Sequence, residues 1–275
     1  MVPAGAGGRR RSTSRSAAGQ DGWVSERLEG TVALVTGASS GIGEATAVEL
    51  ARQGARVSIV ARRRDRLADL AKRLDDTDVL VIEADVTDEA AARGAVEQTV
   101  RQFGRLDTVI ANAGVMLLGP IENAPLEEWQ QMVDINVLGL LYTAHAALPH
   151  LLDAASSEPR RVADLVLISS VAGRVARNGS GVYNLTKHGV GAFGEALRQE
   201  ITKRHVRVSL VEPGAVATEL AGHNRPEVRE TLMTRFRDMQ RMEATDIADL
   251  IGYIITRPRR VAINEVLIRP TEQEG

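Results

Sequence analysis

The sequence predicts an α/β fold in one domain: a doubly wound, mainly parallel sheet with helices on both faces. Three observations carry this. Seven short apolar runs alternate with longer stretches whose apolar residues recur at helical spacing. Most of the runs are unbroken in hydrophobicity, the pattern of strands covered on both sides. No Pro-, Gly- or Ser-rich linker interrupts the alternation between residues 28 and 275, so the 275-residue length is assigned to one domain behind a short arm.

The elements follow in order. Residues 1–27 hold Gly, Ala, Ser and Arg with almost nothing to bury, which predicts a disordered arm. It has no apolar stretch of a secretory signal and no amphipathic periodicity. A solvated extension and an arm for anionic surfaces or nucleic acid both remain open for it. Strands are predicted at Val32–Val35, Val57–Val60, Val79–Ile82, Thr108–Ile110, Val162–Ile168, Val206–Val211 and Glu265–Ile268. Between the first and second lie Ala45, Val48, Leu50 and Ala51 at helical spacing, and between the second and third Leu67, Leu70, Ala71 and Leu74. A long helix is predicted from about Leu126 to Leu152, and another begins at Gly181 and Val182. Residues 218–242 are amphipathic and charged, with Met233, Met239 and Met242 as candidate apolar contacts.

Composition removes several chemistries. Cys is absent, so thiolate nucleophiles, disulfides and Cys-ligated metals are excluded, and a cytoplasmic location is the expectation. The five His form no metal-binding spacing, and no metal is expected. No uninterrupted apolar run approaches the ~20 residues of a bilayer span, so no membrane partner is expected. The net charge of -2 hides a split: residues 1–28 carry five Arg against Asp21 and Glu26, a balance of +3, leaving -5 for the remainder. An acidic body argues against nucleic acid as partner. Lys occurs only at 72, 187 and 203, against 31 Arg. Each Lys therefore calls for a reason.

The first strand runs into Thr36-Gly37-Ala38-Ser39-Ser40-Gly41-Ile42-Gly43 and then a helix. Glycines at that junction permit a tight turn and bring backbone N–H groups and a helix N-terminus to a pyrophosphate, which predicts a Rossmann-type dinucleotide site. Six strands are followed at once by singled-out residues: Gly37, Ala61 with Arg62, Asp85, Asn112, Ser170 and Pro213. The carboxyl ends of parallel strands share one crevice, so these six converge. At the end of the second strand an acidic residue would bind a ribose 2′-hydroxyl. Ala61 cannot, whereas Arg62, with Arg63 beside it, suits a 2′-phosphate, and NADP(H) is the cofactor predicted. Tyr183 and Lys187, four residues apart, share a helix face. An ammonium beside a phenol favours its ionised form, which suits Tyr183 to acid–base work. Ser170 is placed to hydrogen-bond a carbonyl oxygen, with Ser169 as the structural alternative.

These motifs and their order resemble the short-chain dehydrogenase/reductase family in its short form, over essentially the whole chain after the arm. The resemblance implies an adenine contact at Asp85-Val86, the Asn112-Ala113-Gly114 turn, and a catalytic tetrad of Asn136, Ser170, Tyr183 and Lys187. It also implies a nicotinamide-side loop at Pro213, Gly214, Val216 and Thr218, with a mobile lid after it. Asn136 would help hold a water leading to Lys187. Ala111 stands where the family usually has Asn. A homotetramer is the family's usual assembly.

The function this implies is an NADP(H)-dependent carbonyl reductase or alcohol dehydrogenase acting on a small carbonyl or alcohol substrate. Val115–Pro120, Gly173–Asn178 and Ile268–Thr271 are similar to stretches of clavulanate dehydrogenase and of NADP-dependent 3-hydroxy acid dehydrogenases. Arg174 and Arg177, between Ser170 and Tyr183, and His223 in the lid are candidates to hold a substrate carboxylate. The alternatives are a 3-oxoacyl carrier-protein reductase and a catalytically silent nucleotide-sensing regulator.

Overall fold

The computed structural model describes residues 28–274 except 75–76, so the expectation for the arm lies outside the described residues. All seven predicted strands are present: β1 Val32–Thr36, β2 Arg56–Ala61, β3 Val79–Glu83, β4 Thr108–Ala111, β5 Ala163–Ile168, β6 Val206–Pro213 and β7 Glu265–Ile268. They form one sheet in the order β3-β2-β1-β4-β5-β6-β7, and every pairing is parallel. The helices are α1 Gly41–Arg52, α2 Arg64–Arg73, α3 Glu89–Phe103, α4 Leu126–Val133, α5 Leu140–Ala155, α6 Gly181–Ile201, α7 Pro226–Arg235 and α8 Ala244–Ile255.

Side-chain alternation along each strand divides the interior in two. Val32 and Leu34 of β1, with Leu165 and Leu167 of β5, join a cluster under α3, α5 and α6. Ala33 and Val35, with Val166 and Ile168, join the opposite cluster under α1, α2 and α8. The period-two step of a strand assigns successive residues to opposite layers. Each fully buried Val, Leu or Ile contributes on the order of 1.5–3 kcal/mol through removal from water. Near the amino ends of β5 and β6, Asp164 and Arg207 form a buried ion pair at 2.7 Å, and Arg207 also donates to the Ile255, Arg257 and Val261 carbonyls. The carboxyl ends are left for the crevice.

The long predicted helix is interrupted. Between α4 and α5 the segment Asp134–Gly139 forms a π turn, closing i→i+5 instead of i→i+4, and α5 runs on to Ala155. Among the described residues Leu126–Ala155 is the one helical stretch with the length and mean hydropathy, 1.3, of a bilayer span. Its Ala144, Ala147 and Leu151 are buried in the cluster on the sheet, which accounts for that hydropathy.

Candidate functional site

The order of strands reverses between β1 and β4, which pair with each other while their chain neighbours lie on opposite sides. At this switch point the chain opens a crevice beyond the strand ends. The Thr36 hydroxyl ties the two ends together, accepting from the Asn112 N–H at 3.0 Å and the Ala113 N–H at 3.2 Å. The Asn112 amide donates to the Thr36 carbonyl at 2.9 Å. Gly37 has φ +67°, and a Cβ there would lie 2.8 Å from Asn112 Nδ2 and 2.9 Å from Ala113 Cα. A Cβ on Gly43 would meet the Gly37 carbonyl oxygen, so Gly43 lets α1 approach the turn. Ser40 caps α1 without a side-chain bond. The first-turn N–H groups are thereby left to an incoming anion, and the cradle fits a pyrophosphate.

Beside the cradle, Ala61 ends β2 with no polar atom in its side chain. Arg62 Nη1 lies 3.5 Å from Asp85 Oδ2, and the arginine side chain is 61% exposed. Partial burial pushes the Asp85 carboxyl up, but the Thr87 N–H and hydroxyl together with Arg62 outweigh it and hold Asp85 below its ordinary value. Arg63 donates to Ser39 Oγ at 3.0 Å and to Ser40 Oγ at 2.7 Å. A guanidinium thus sits directly against the glycine turn.

On the far side, β5 ends at Ile168 and α6 begins at Gly181. Ser169 donates to the Lys187 carbonyl at 3.1 Å, which leaves Ser170 as the serine turned to the reaction side. The Ser170 hydroxyl accepts from the Ala172 N–H at 3.1 Å. Burial pushes the Tyr183 phenol up to about 12, against the opposing pull of a hydrogen bond with Ser170. Burial brings the Lys187 ammonium down to about 8. Lys187 Nζ donates to the Ile168 carbonyl at 2.9 Å and stands 5.9 Å from the centre of the Tyr183 ring. Asn136, inside the π turn, is buried. Its side chain accepts from the Val115 N–H at 2.8 Å and donates to the Val115 carbonyl at 2.9 Å and the Thr186 hydroxyl at 3.2 Å. It clasps the segment after Gly114 to the helix of Tyr183.

These groups surround a cavity of about 560 Å³. Of the residues predicted for the site, Gly37, Ser39, Ser40, Gly41, Ile42, Arg62, Arg63, Asp85, Val86, Asn112, Ala113, Gly114, Ser170, Tyr183, Lys187, Pro213, Gly214, Val216 and Thr218 line it, as do Arg177 and His223. Gly43 and Asn136 stand behind the lining, in the supporting roles just described.

Arg174 corrects the sequence expectation. It does not line the cavity: its Nε donates to both oxygens of Glu212, at 2.9 and 2.7 Å, and its Nη2 to Glu265 at 2.5 Å. Glu212 sits on β6 with its side chain 1% exposed, so its charge requires a partner and captures Arg174. His223 is partly buried. That burial, with the nearby charges of Arg63 and Arg62, lowers its ordinary value, so at neutral pH it offers a neutral imidazole.

The lid forms a closed excursion. Val216 bridges Met242, the Ala217 N–H donates to the Met242 carbonyl at 2.8 Å, and the Met242 N–H to Ala215 at 3.1 Å. Inside it run a 3₁₀ turn, Glu219–His223, and α7. Leu232 and Phe236 line the cavity, and the three methionines do not, Met233 being 74% exposed. Besides Leu232 and Phe236, three polar lid residues were not singled out by the sequence. Asn224 pins the lid to the segment after Gly114, donating to Met116 O at 2.9 Å and accepting from Leu118 N at 2.7 Å. Arg241 lines the cavity with no ion-pair partner among the described residues, and Glu219 lines it while bridging two arginines. Outside the lid, Gln273 near the carboxyl end also lines the cavity and accepts from the Ala215 N–H at 2.8 Å. The density of charge in the lid hinted at Glu219 and Arg241, and no sequence signal marked Asn224 or Gln273.

Residues 31–229 match the family described as short chain dehydrogenase. An uncharacterized oxidoreductase of Staphylococcus aureus (strain MRSA252) is 35% identical over 243 residues, covering 88% of this chain and 98% of the relative. The closed form of a serine dehydrogenase complexed with NADP+ superposes with a TM-score of 0.82 at 28% identity, covering 89% of this chain and 97% of that one. A 3-ketoacyl-(acyl-carrier-protein) reductase from Brucella melitensis complexed with NADH gives 0.77 at 27% identity, over 88% of this chain and 98% of that one.

Proposed function

The chain belongs to the short-chain dehydrogenase/reductase family and is an oxidoreductase that uses a nicotinamide cofactor; from that premise we propose that it is an NADP(H)-dependent carbonyl reductase or alcohol dehydrogenase for small carboxylate-bearing substrates. The observation that carries the cofactor choice is the end of β2: no acid at Ala61, and the guanidiniums of Arg62 and Arg63 beside the cradle. The glycine turn and the α1 N-terminus would hold the pyrophosphate, Asp85 and Val86 the adenine side, and Pro213, Gly214, Val216 and Thr218 the nicotinamide side. When bound, the nicotinamide supplies or accepts a hydride at the substrate carbon.

The chain's own residues handle the oxygen. Tyr183 donates its phenolic proton to the carbonyl oxygen in reduction and takes it back in oxidation. Ser170 hydrogen-bonds the same oxygen and stabilises the charge that develops there. In isolation Tyr183 is far too weak an acid to release a proton near pH 7. The positive charge of Lys187 opposes that by favouring phenolate. One donor of Lys187 is used by Ile168, leaving two for ribose hydroxyls. Asn136 acts as a positioning residue for the Tyr183 helix, and the water it would help to hold belongs to the relay that returns a proton to Tyr183.

Carboxylate recognition is assigned to Arg241 and Arg177, with His223 as a neutral hydrogen-bonding neighbour. Serine is itself a 3-hydroxy acid, so the likeness to a serine dehydrogenase supports this choice. The likeness to a 3-ketoacyl-(acyl-carrier-protein) reductase keeps a carrier-protein substrate as the second reading. The acidic body disfavours it, because an acidic carrier protein docks on basic surface. The test is a panel of aldehydes and ketones followed by NADPH absorbance. NADPH should bind at least about tenfold more tightly than NADH, about 1.4 kcal/mol, and Arg62→Glu should invert the ranking. Equal affinities for the two cofactors would refute the NADP(H) assignment, and equal kcat/KM for acids and their methyl esters would refute carboxylate recognition.

A further inference from the structure

Glu219 opens the lid, immediately after Thr218, whose methyl group packs over the glycine turn at Gly41. Its two oxygens are divided between two arginines of another element: Oε2 accepts from Arg63 Nη1 at 2.9 Å and Oε1 from Arg66 Nη1 at 2.5 Å. Arg63 is the N-cap of α2 and Arg66 lies in its first turn, so both cations sit at the helix end where the macrodipole disfavours positive charge. Asp65 lies in the same turn, but the anion that bridges both arginines is Glu219. One anion bridging two guanidiniums, with the Ser39 and Ser40 hydroxyls on the remaining nitrogens of Arg63, has the donor set that recognises a phosphate monoester. Glu219 also lines the cofactor-sized cavity beside Arg62 and Arg63.

We propose that Glu219 is an internal occupant of the 2′-phosphate site, a lid carboxylate that must release the Arg63 and Arg66 fork before the 2′-phosphate of NADP(H) can take it. The inference rests on the NADP(H) reading of the β2 end and adds a residue that sets how strongly that preference is expressed. The Arg63 and Arg66 hydrogen bonds hold the Glu219 carboxyl down at about 2, so it is a full anion at working pH and competes with the phosphate as one. Release frees the first turn of the lid, while the Val216 to Met242 bridge keeps the lid's root closed. Phosphate binding and detachment of this turn are then one equilibrium, and each favours the other by the same factor.

The experiment needs no turnover. Adenosine 2′,5′-bisphosphate and 5′-AMP are titrated by calorimetry into the full chain and into Glu219→Gln, which keeps the size of the side chain and removes its charge. Exposed ion pairs are worth little individually, so the gain expected for the bisphosphate is about three- to tenfold, with 5′-AMP unchanged within about twofold. Hydrogen exchange of residues 219–223 should rise when the bisphosphate binds the unmodified protein and should already be high in the variant. Unchanged or weaker bisphosphate binding in Glu219→Gln, or equal tightening of both ligands, overturns the inference. If the unmodified protein binds both ligands equally, its NADP(H) preference is refuted. The role of Glu219 then stands if the variant alone gains a preference for the bisphosphate, and falls if it does not.

Discussion

Replacing Tyr183 by Phe separates the proton donor from everything else the residue does. The ring is buried, 6% exposed, among Val115, Leu117, Met132 and Ile135, and Phe refills that space. What leaves is one hydroxyl and its hydrogen bond with Ser170. Ser170 keeps the Ala172 N–H as a partner, so no buried group is orphaned. A single hydrogen bond is worth about 0.5–1.5 kcal/mol net, and at ~2–4 °C per kcal/mol for a domain of this size Tm should fall by only about 1–6 °C. The cradle and the β2 arginines lie on other elements, so NADPH should bind within about threefold of the unmodified affinity. Loss of a general acid costs about 10²- to 10⁴-fold in rate, or ~2.7–5.5 kcal/mol of barrier. Steady-state NADPH oxidation, a fluorescence titration and a thermal melt measure the three quantities separately. A variant that turns over within about tenfold of the parent would show that the proton comes from another group.

The ammonium of Lys187, brought down to about 8 by burial, is charged below that pH and neutral above it. In the reductive direction kcat/KM should therefore decline as pH rises through about 8, and a profile flat to pH 10 would show that its charge is not required. Arg174→Ala leaves the buried Glu212 without its partner. With Arg174 itself 41% exposed, the penalty should stay below that of a fully buried pair, at about 2–3 kcal/mol, visible as a lower melting temperature with an unchanged acid-to-ester ratio in kcat/KM. Arg241→Ala should do the reverse: the melt is unchanged within about 2 °C, and KM for carboxylate-bearing aldehydes rises about tenfold while their esters are unaffected. A loss of acid selectivity in Arg174→Ala instead would return that arginine to the cavity.

The strands were legible because a strand buried on both faces leaves an apolar run that needs no partner to recognise, and the convergence at the crevice followed from parallel topology alone. The helix faces were less so. By periodicity Val137, Leu140, Leu141 and Ala144 on one helix and Val190, Phe193 and Leu197 on the other fit either the interior or a subunit contact. Leu140, Ala144, Val190 and Leu197 are buried in this chain's own core, while Val137, Leu141 and Phe193 are only partly buried. Arg174 illustrates the limit for the site. Its position between Ser170 and Tyr183 pointed to the cavity, but the carboxylate that claims it is 38 residues further along the chain, and its burial on β6 is a tertiary fact. The lid misled in a related way. Leu232 reaches the cavity while its neighbour Met233 turns to solvent, and α7 is too weakly amphipathic to announce which side faces inward. Asn136 was marked by its motif, but its clasp on Val115 depends on a backbone distortion that no local residue preference spells out.

That distortion has an effect on angular phase along the helix. An i→i+5 turn consumes one residue more than an i→i+4 turn, so Asp134–Gly139 absorbs about 100° that a continuous α-helix would have added. Met132 before the turn packs with Val115, Leu117 and Tyr183, whereas Leu140, Ala144, Ala147 and Leu151 after it pack in the cluster on the sheet. A chain shortened by one residue at Val137 would close this stretch as ordinary α-helix and rotate α4, which packs on α6, relative to α5, which packs on β4 and β5. Such a deletion would remove the clasp of Asn136 and leave the buried Val115 N–H and carbonyl without their partner, lowering the melting temperature together with catalysis.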